Sequence, residues 1–194
     1  MCGLKVFNME RLFIPVLLGT GRADNKSVNA AKFVYSELSK VEGVSTKLFE
    51  AGNMGYSVTV PPWGKGGADE KETAWKEAMT KADGLVIVVP EYNHGYPGEL
   101  KLVLDSLYKE YEKKAVTVCG VSSGGFGGTR VVDHIKPVLI ELKMVPTRGA
   151  LYFSKVEESF DENGNMKDPK TAEFAKDVFD ELVWLAEALK DKKG

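Results

Sequence analysis

Cysteine is scarce in this chain: Cys2 and Cys119 are its only two. They cannot make a disulfide framework, and a reducing, cytoplasmic setting is the expectation. Histidine is as rare, with only His94 and His134, and neither has a Cys or His partner at ligand spacing, so a metal site is not expected. Long apolar runs are missing too. The amino-terminal run 12–18 is seven residues long and contains Pro15, too short to cross a bilayer and without a cleavage-site pattern behind it. Nor is charge of one sign in excess: 26 Lys and Arg against 28 Asp and Glu leave a net charge of −2, which offers no basic field for nucleic acid and no polybasic membrane anchor. No Gly-Lys-Ser/Thr occurs, which argues against an ATPase phosphate loop. No nucleophile or carboxylate pair stands out either. The expected partner is a small molecule.

What the chain does hold is enough apolar residue for one core. Of 194 residues, 43% are hydrophobic, fitting a single domain over 1–194. Strands are expected at 12–18, 44–49, 84–89, 115–120 and 144–153. Helices are expected between and after them, at 27–41, 69–82, 98–108, from 131 onward with Val131, Ile135, Val138, Leu139 and Leu142 inward, and from Phe174 to Lys190. The run Gly-Leu-Val-Ile-Val-Val at 84–89 does not alternate and is rich in β-branched residues, as a central parallel strand covered on both faces would be. Strands alternating with helices predict an α/β, doubly wound, five-stranded parallel sheet of flavodoxin-like order 2-1-3-4-5, with helices on both faces. The stretch 50–67, glycine- and proline-bearing without a period, reads as a long surface loop. Trp63, Trp75 and Trp184 are expected in the core or at an interface.

In such a sheet, ligands bind beyond the carboxyl ends of the strands. Three loops fall there. The first, 19–27, reads Gly-Thr-Gly-Arg-Ala-Asp-Asn-Lys-Ser and opens a helix whose free N–H groups favour an anion. Thr20, Arg22, Ser27 and Asn29 add donors suited to a terminal phosphate monoester. The same loop reads equally well as a tight turn with Ser27 as a helix N-cap. It is a poor dinucleotide fingerprint, since Asp24 stands at the third glycine and would face the pyrophosphate.

The second loop, 90–101, reads Pro-Glu-Tyr-Asn-His-Gly-Tyr-Pro-Gly-Glu-Leu-Lys. Its amide (Asn93), phenols (Tyr92, Tyr96), carboxylate (Glu91) and glycine-freed N–H groups suit a flat aromatic ring with polar edges, which points to a flavin. His94 reads as pocket lining or as ordinary turn chemistry before Gly95. The third loop, 121–130, has four glycines within 124–128, a run that costs conformational entropy and lets the backbone approach a ligand. Asp161-Glu162-Asn163-Gly164-Asn165 imitates a calcium loop, but Met166 replaces the required glycine and Ala172 the bidentate glutamate. Calcium is rejected.

Pro90-Glu91-Tyr92-Asn93 with Pro97-Gly98 and Leu100-Lys101, Ser122 with Gly124 to Gly128, and Gly19-Thr20-x-Arg22 with Ser27 together resemble the NAD(P)H-dependent FMN reductase family, whose members include azoreductases, quinone reductases and chromate reductases. The resemblance implies a flavodoxin-like fold and an enzyme that uses FMN and NAD(P)H. It places the FMN phosphate on Thr20, Arg22, Ser27 and Asn29, the ring against Pro90, Glu91, Tyr92 and Asn93, and the pyrimidine side of the ring against Ser122, Gly124 and Gly125. His94, Tyr96 and Phe126 are the candidates for substrate contact. A homodimer or homotetramer is implied as well. The chain departs from the family's pattern in Thr20, where serine is usual, in Leu102-Val103, where Asn-Ala is common, and in Ser123, where an aromatic residue often stands. The alternatives are a one-electron carrier of the flavodoxin type and a flavin- or nucleotide-sensing module without turnover.

Overall fold

The computed structural model describes residues 11–68, 70 and 73–190. Cys2, the tail 1–10 and part of the expected start of the second helix, at 69, 71 and 72, lie outside the described residues.

The first strand position, β1 (Leu12–Phe13) and β2 (Val16–Leu18), is divided at Pro15, which has no N–H to give a ladder. The ladder nevertheless runs through the division. Ile14 N–H donates to Ser45 O at 2.9 Å and Val16 N–H to Lys47 O at 2.9 Å. The second position divides alongside it, into β3 (Val44–Ser45) paired with β1 and β4 (Leu48–Glu50) paired with β2. Next come β5 (Gly84–Pro90) and β6 (Ala115–Val121), and β6 carries both halves of the last position, β7 (Val145–Pro146) and β8 (Leu151–Phe153). The order β4-β2-β5-β6-β7, with every pairing of named strands parallel, is the expected 2-1-3-4-5. The count is a correction, since three of the five positions are split in two. Between β7 and β8 the chain leaves the ladder after Thr147, whose N–H still donates to Val116 O, and Glu181 takes up the backbone freed there, accepting from Arg148 N at 2.7 Å and Gly149 N at 2.8 Å.

The central strand explains why its sequence does not alternate. Val86 and Val88 enter one core with α1 (Ser27–Ser39) and α6 (Lys170–Lys190), while Leu85, Ile87 and Val89 enter the other with α2 (Ala74–Lys81), α3 (Gly98–Asp105) and α4 (Thr129–Glu141). A short helix not expected from periodicity, α5 (Val156–Ser159), follows β8. Ser27 is not the N-cap of α1. It is the helix's first residue, and Asn25 Oδ1 accepts from Val28 N at 3.0 Å instead, an acceptor placed two residues earlier than the expected one.

Trp75 is core, but Trp63 and Trp184 are exposed. Trp75 Nε1–H donates to Tyr111 Oη at 3.0 Å, and Tyr111 Oη–H donates to Val103 O at 3.2 Å, joining α2, the turn after α3 and α3 itself. Burial pushes the Tyr111 phenol far above its ordinary range, so it stays a neutral donor. Tyr111→Phe leaves the Trp75 N–H buried without its acceptor. It is expected to lower stability by about 1–3 kcal/mol in urea unfolding, with an unchanged m-value.

Candidate active site

β2, β5 and β6 are neighbours in one parallel sheet, so their exits at Leu18, Pro90 and Val121 open on the same edge. Gly19 N–H donates to Val88 O at 2.8 Å, and Glu91 N–H to Val121 O at 2.9 Å, so each loop leaves the sheet tied to the strand beside it.

The first loop turns tightly. Thr20 is 1% exposed, and its hydroxyl donates to Glu99 Oε1 at 2.9 Å while accepting from Arg22 N at 3.3 Å. Gly21 N–H also donates to Glu99 Oε1, at 2.9 Å. Arg22 Nε–H donates to Tyr92 Oη at 3.0 Å, which fastens the first loop to the second. Asp24 takes φ 53, a left-handed value that its short polar side chain tolerates. Gly21 could not be any other residue without movement: a Cβ there would lie 2.5 Å from Gly52 Cα, in the turn after β4. Ser27 is 4% exposed, and its hydroxyl has no hydrogen-bond partner among the described residues. Asn29 stands apart from these contacts. It lines a groove of about 670 Å³ between α1 and residues 162–169, beside Gly164.

The second loop is a hairpin turn. Tyr92 and Gly95 exchange two backbone hydrogen bonds of 2.9 Å, and between them Asn93 (φ 50) and His94 (φ 65) are both left-handed and exposed. Left-handed values at both central residues mark a type I′ turn, for which Asn is well suited. His94 is therefore turn chemistry first. Tyr96 is partly buried against the core of α2, α3 and α4. Glu91 ties this loop to the third: its carboxylate accepts from Arg130 N at 3.1 Å and Val131 N at 3.3 Å, serving the free N–H groups at the start of α4, and pairs with the Arg130 guanidinium at 3.4 Å.

In the third loop the glycine run has two halves with different reasons. Gly127 (φ 62) and Gly128 (φ 78) are locked: a Cβ would meet Tyr152 Cβ at 2.8 Å in the first case and Val121 N at 2.7 Å in the second. A Cβ at Gly124 or Gly125 would meet nothing within 4 Å, so their backbone lies open to an incoming group. Ser122 Oγ–H donates to Gly124 O at 2.9 Å and holds that open segment. Phe126 is exposed beneath the Arg130 guanidinium, 5.0 Å from ring centroid to Cζ.

Thr20, Arg22, Tyr92, Glu91, Ser122 and the open glycines thus share one edge of the sheet. Sequence reasoning missed Glu99 and Gly52. Both act through partners on other loops, and only the glutamate's place in the first turn of α3 marked it at all. The Glu99 carboxyl is pushed up by burial, but hydrogen bonds from Gly21 N–H, its own N–H and the Thr20 hydroxyl outweigh that and hold it below the ordinary carboxylate value.

Residues 14–158 match the model of the family described as NADPH-dependent FMN reductase. The chain belongs to that family. Over 77 residues, 40% of this chain and 39% of the other, it is 43% identical to an NAD(P)H-dependent FMN reductase of Saccharomyces cerevisiae. Over 120 residues, 59% of this chain and 66% of the other, it is 30% identical to a 2-hydroxy-1,4-benzoquinone reductase of a Burkholderia species. The matched stretch thus spans about two fifths of the yeast relative and just under two thirds of the bacterial one. Among solved structures, the flavoenzyme NAD(P)H:(acceptor) oxidoreductase of Paracoccus denitrificans superposes with a TM-score of 0.71 at 22% identity, covering 91% of this chain and 98% of that one. A short-chain flavodoxin superposes with a TM-score of 0.56 at 19% identity, covering 88% of this chain and 99% of that one. These two likenesses carry the flavodoxin-like fold of this FMN reductase family member.

Proposed function

We propose that the chain is a single-domain, FMN-dependent oxidoreductase that takes hydride from NAD(P)H and reduces small planar acceptors: quinones, azo compounds, flavins or metal oxyanions. One observation carries this reading. Three loops from adjacent strand ends are pinned to one another by Arg22 with Tyr92 and by Glu91 with the start of α4, and they present phosphate donors at one end and open backbone at the other.

The residues fit the cofactor. The first loop already holds an anion of its own, the Glu99 carboxylate, on Thr20 Oγ1–H and Gly21 N–H. Ser27 adds a hydroxyl with no partner among the described residues, and Arg22 a guanidinium with donors beyond the one spent on Tyr92. These residues would hold the phosphate of FMN, while Asn29, which faces the groove beside Gly164, would reach it only by turning away from that groove. Pro90, Glu91, Tyr92 and Asn93 would border the ring, and Ser122, Gly124 and Gly125 its polar edge. Bound there, FMN supplies the capacity to accept a hydride and return its two electrons. The N–H groups of the third loop favour negative charge at the polar edge, and each such bond contributes on the order of 1 kcal/mol. NAD(P)H leaves as NAD(P)⁺, and a quinone takes up the same two electrons, with a second proton from water. Both use one site in turn, so the kinetics are ping-pong. Tyr96, His94 and Phe126 stand at the rim as substrate contacts.

Among the described residues no helix is long and apolar enough to cross a membrane. We place the protein in the cytoplasm, as a homodimer or homotetramer. The decisive experiment is optical. Protein reconstituted with FMN should be yellow, bleach on anaerobic addition of NADPH, and recover its colour with a quinone. Yellow protein that no nicotinamide bleaches would sink the reductase reading.

A further inference from the structure

Glu99 sits where the family's phosphate is expected to sit. Its Oε1 takes both the Thr20 hydroxyl and the Gly21 N–H at 2.9 Å. Among the described residues no Lys or Arg pairs with it: Arg22 gives its Nε–H to Tyr92 Oη, and Lys101, two positions on, is paired with Asp105 at 2.6 Å. The carboxyl is held below its ordinary value, so it is a full negative charge at neutral pH. A phosphate monoester brings about 1.5–2 negative charges near neutral pH and wants the same donors.

We propose that Glu99 is a built-in competitor for the flavin phosphate, and that it sets the affinity so that FMN is exchanged rather than held permanently. This rests on the FMN reading above. Glu99 lies in the first turn of α3 and is only partly buried, so it can withdraw to solvent without unpacking the core. Binding of FMN then requires the carboxylate to leave Thr20 Oγ1 and Gly21 N–H, and it returns when the flavin departs. Riboflavin has the ring and the ribityl chain but no phosphate, and is indifferent to the exchange.

The test compares FMN and riboflavin binding, by quenching of flavin fluorescence, in the wild type, Glu99→Gln and Glu99→Ala. Removing the negative charge that FMN must displace, and that stays near the phosphate after withdrawing, is expected to tighten FMN by about tenfold or more in both variants and to slow its release to match. Riboflavin affinity is expected to change less than about twofold, because the competitor meets no charge on it. A residue that merely positions Thr20 would behave otherwise: Gln keeps the acceptor oxygen and would leave FMN unchanged, while Ala would weaken it. Either of those results, or tightening of riboflavin together with FMN, overturns the proposal. Failure of the underlying reading looks different again, since the wild type and both variants would then bind neither flavin.

Discussion

Gly128→Ala is expected to cost about 2–5 kcal/mol of folding stability, a large share of the roughly 5–15 kcal/mol that a domain usually has. Two causes add. The residue is at φ 78, where a Cβ costs on the order of 1–2 kcal/mol, and that Cβ would stand 2.7 Å from Val121 N and 3.0 Å from both Gly120 C and Gly120 Cα. All three contacts are with backbone atoms of two buried residues of β6, Gly120 and Val121, so no side chain can swing away to relieve them. Gly124→Ala and Gly125→Ala, a few residues earlier in the same run, meet open space and are expected to change stability by less than about 0.5 kcal/mol while weakening FMN binding. Urea unfolding of the three variants, with flavin titration of the two stable ones, checks both halves. Equal stability loss at 124 and 128 would mean that the run acts as one hinge and not as a locked base under an open lip.

That division was not legible in the sequence, where the four glycines look alike. What composition shows is that glycine is needed, and which constraint each one answers depends on Gly120 and Tyr152 across the fold. The layers, by contrast, were legible, because each depends on a local pattern. Residues 84–89 are apolar at every position since both faces of β5 are covered, and the periodic helices bury the residues their spacing marks, as with Val34 and Leu38 in α1 or Val131, Ile135 and Leu139 in α4. Local pattern fails at the start of α1: Ser27 looks like a cap, but the helix already begins there, and Asn25 Oδ1, from before the cap position, serves Val28 N instead. It fails again where a long-range partner decides. The break between β7 and β8 is stabilised by Glu181, more than 30 residues on, and the turn of the first loop needs Gly52 at its back. The three loops themselves were found because strand exits can be read from sequence. The cross-ties through Tyr92, Glu91 and Glu99 could not be, since each joins residues 39 to 79 positions apart.

In the proposed reading Arg22 and Glu99 oppose each other over the flavin phosphate, and that gives the sharpest test of how the first loop works. Arg22 gives one donor to Tyr92 Oη and stands 5.9 Å from that ring's centroid, so Tyr92 fixes the guanidinium while its remaining donors are free to meet an anion. A charge-assisted bond contributes about 1.5–3 kcal/mol, so Arg22→Ala is expected to weaken FMN by about 10- to 150-fold. Arg22→Lys should recover only part of this, because an ammonium cannot satisfy Tyr92 and a phosphate together through a planar fork. Riboflavin binding should be nearly untouched in both. Raising ionic strength should weaken FMN binding to the wild type more than to Arg22→Ala, since the lost contact is the charged one. In the double variant with Glu99→Gln, FMN affinity should fall between those of the two single variants, and the departure from additivity should itself disappear with riboflavin. A loss of riboflavin affinity equal to that of FMN in Arg22→Ala would show that Arg22 serves only to hold the second loop through Tyr92 and does not contact the phosphate.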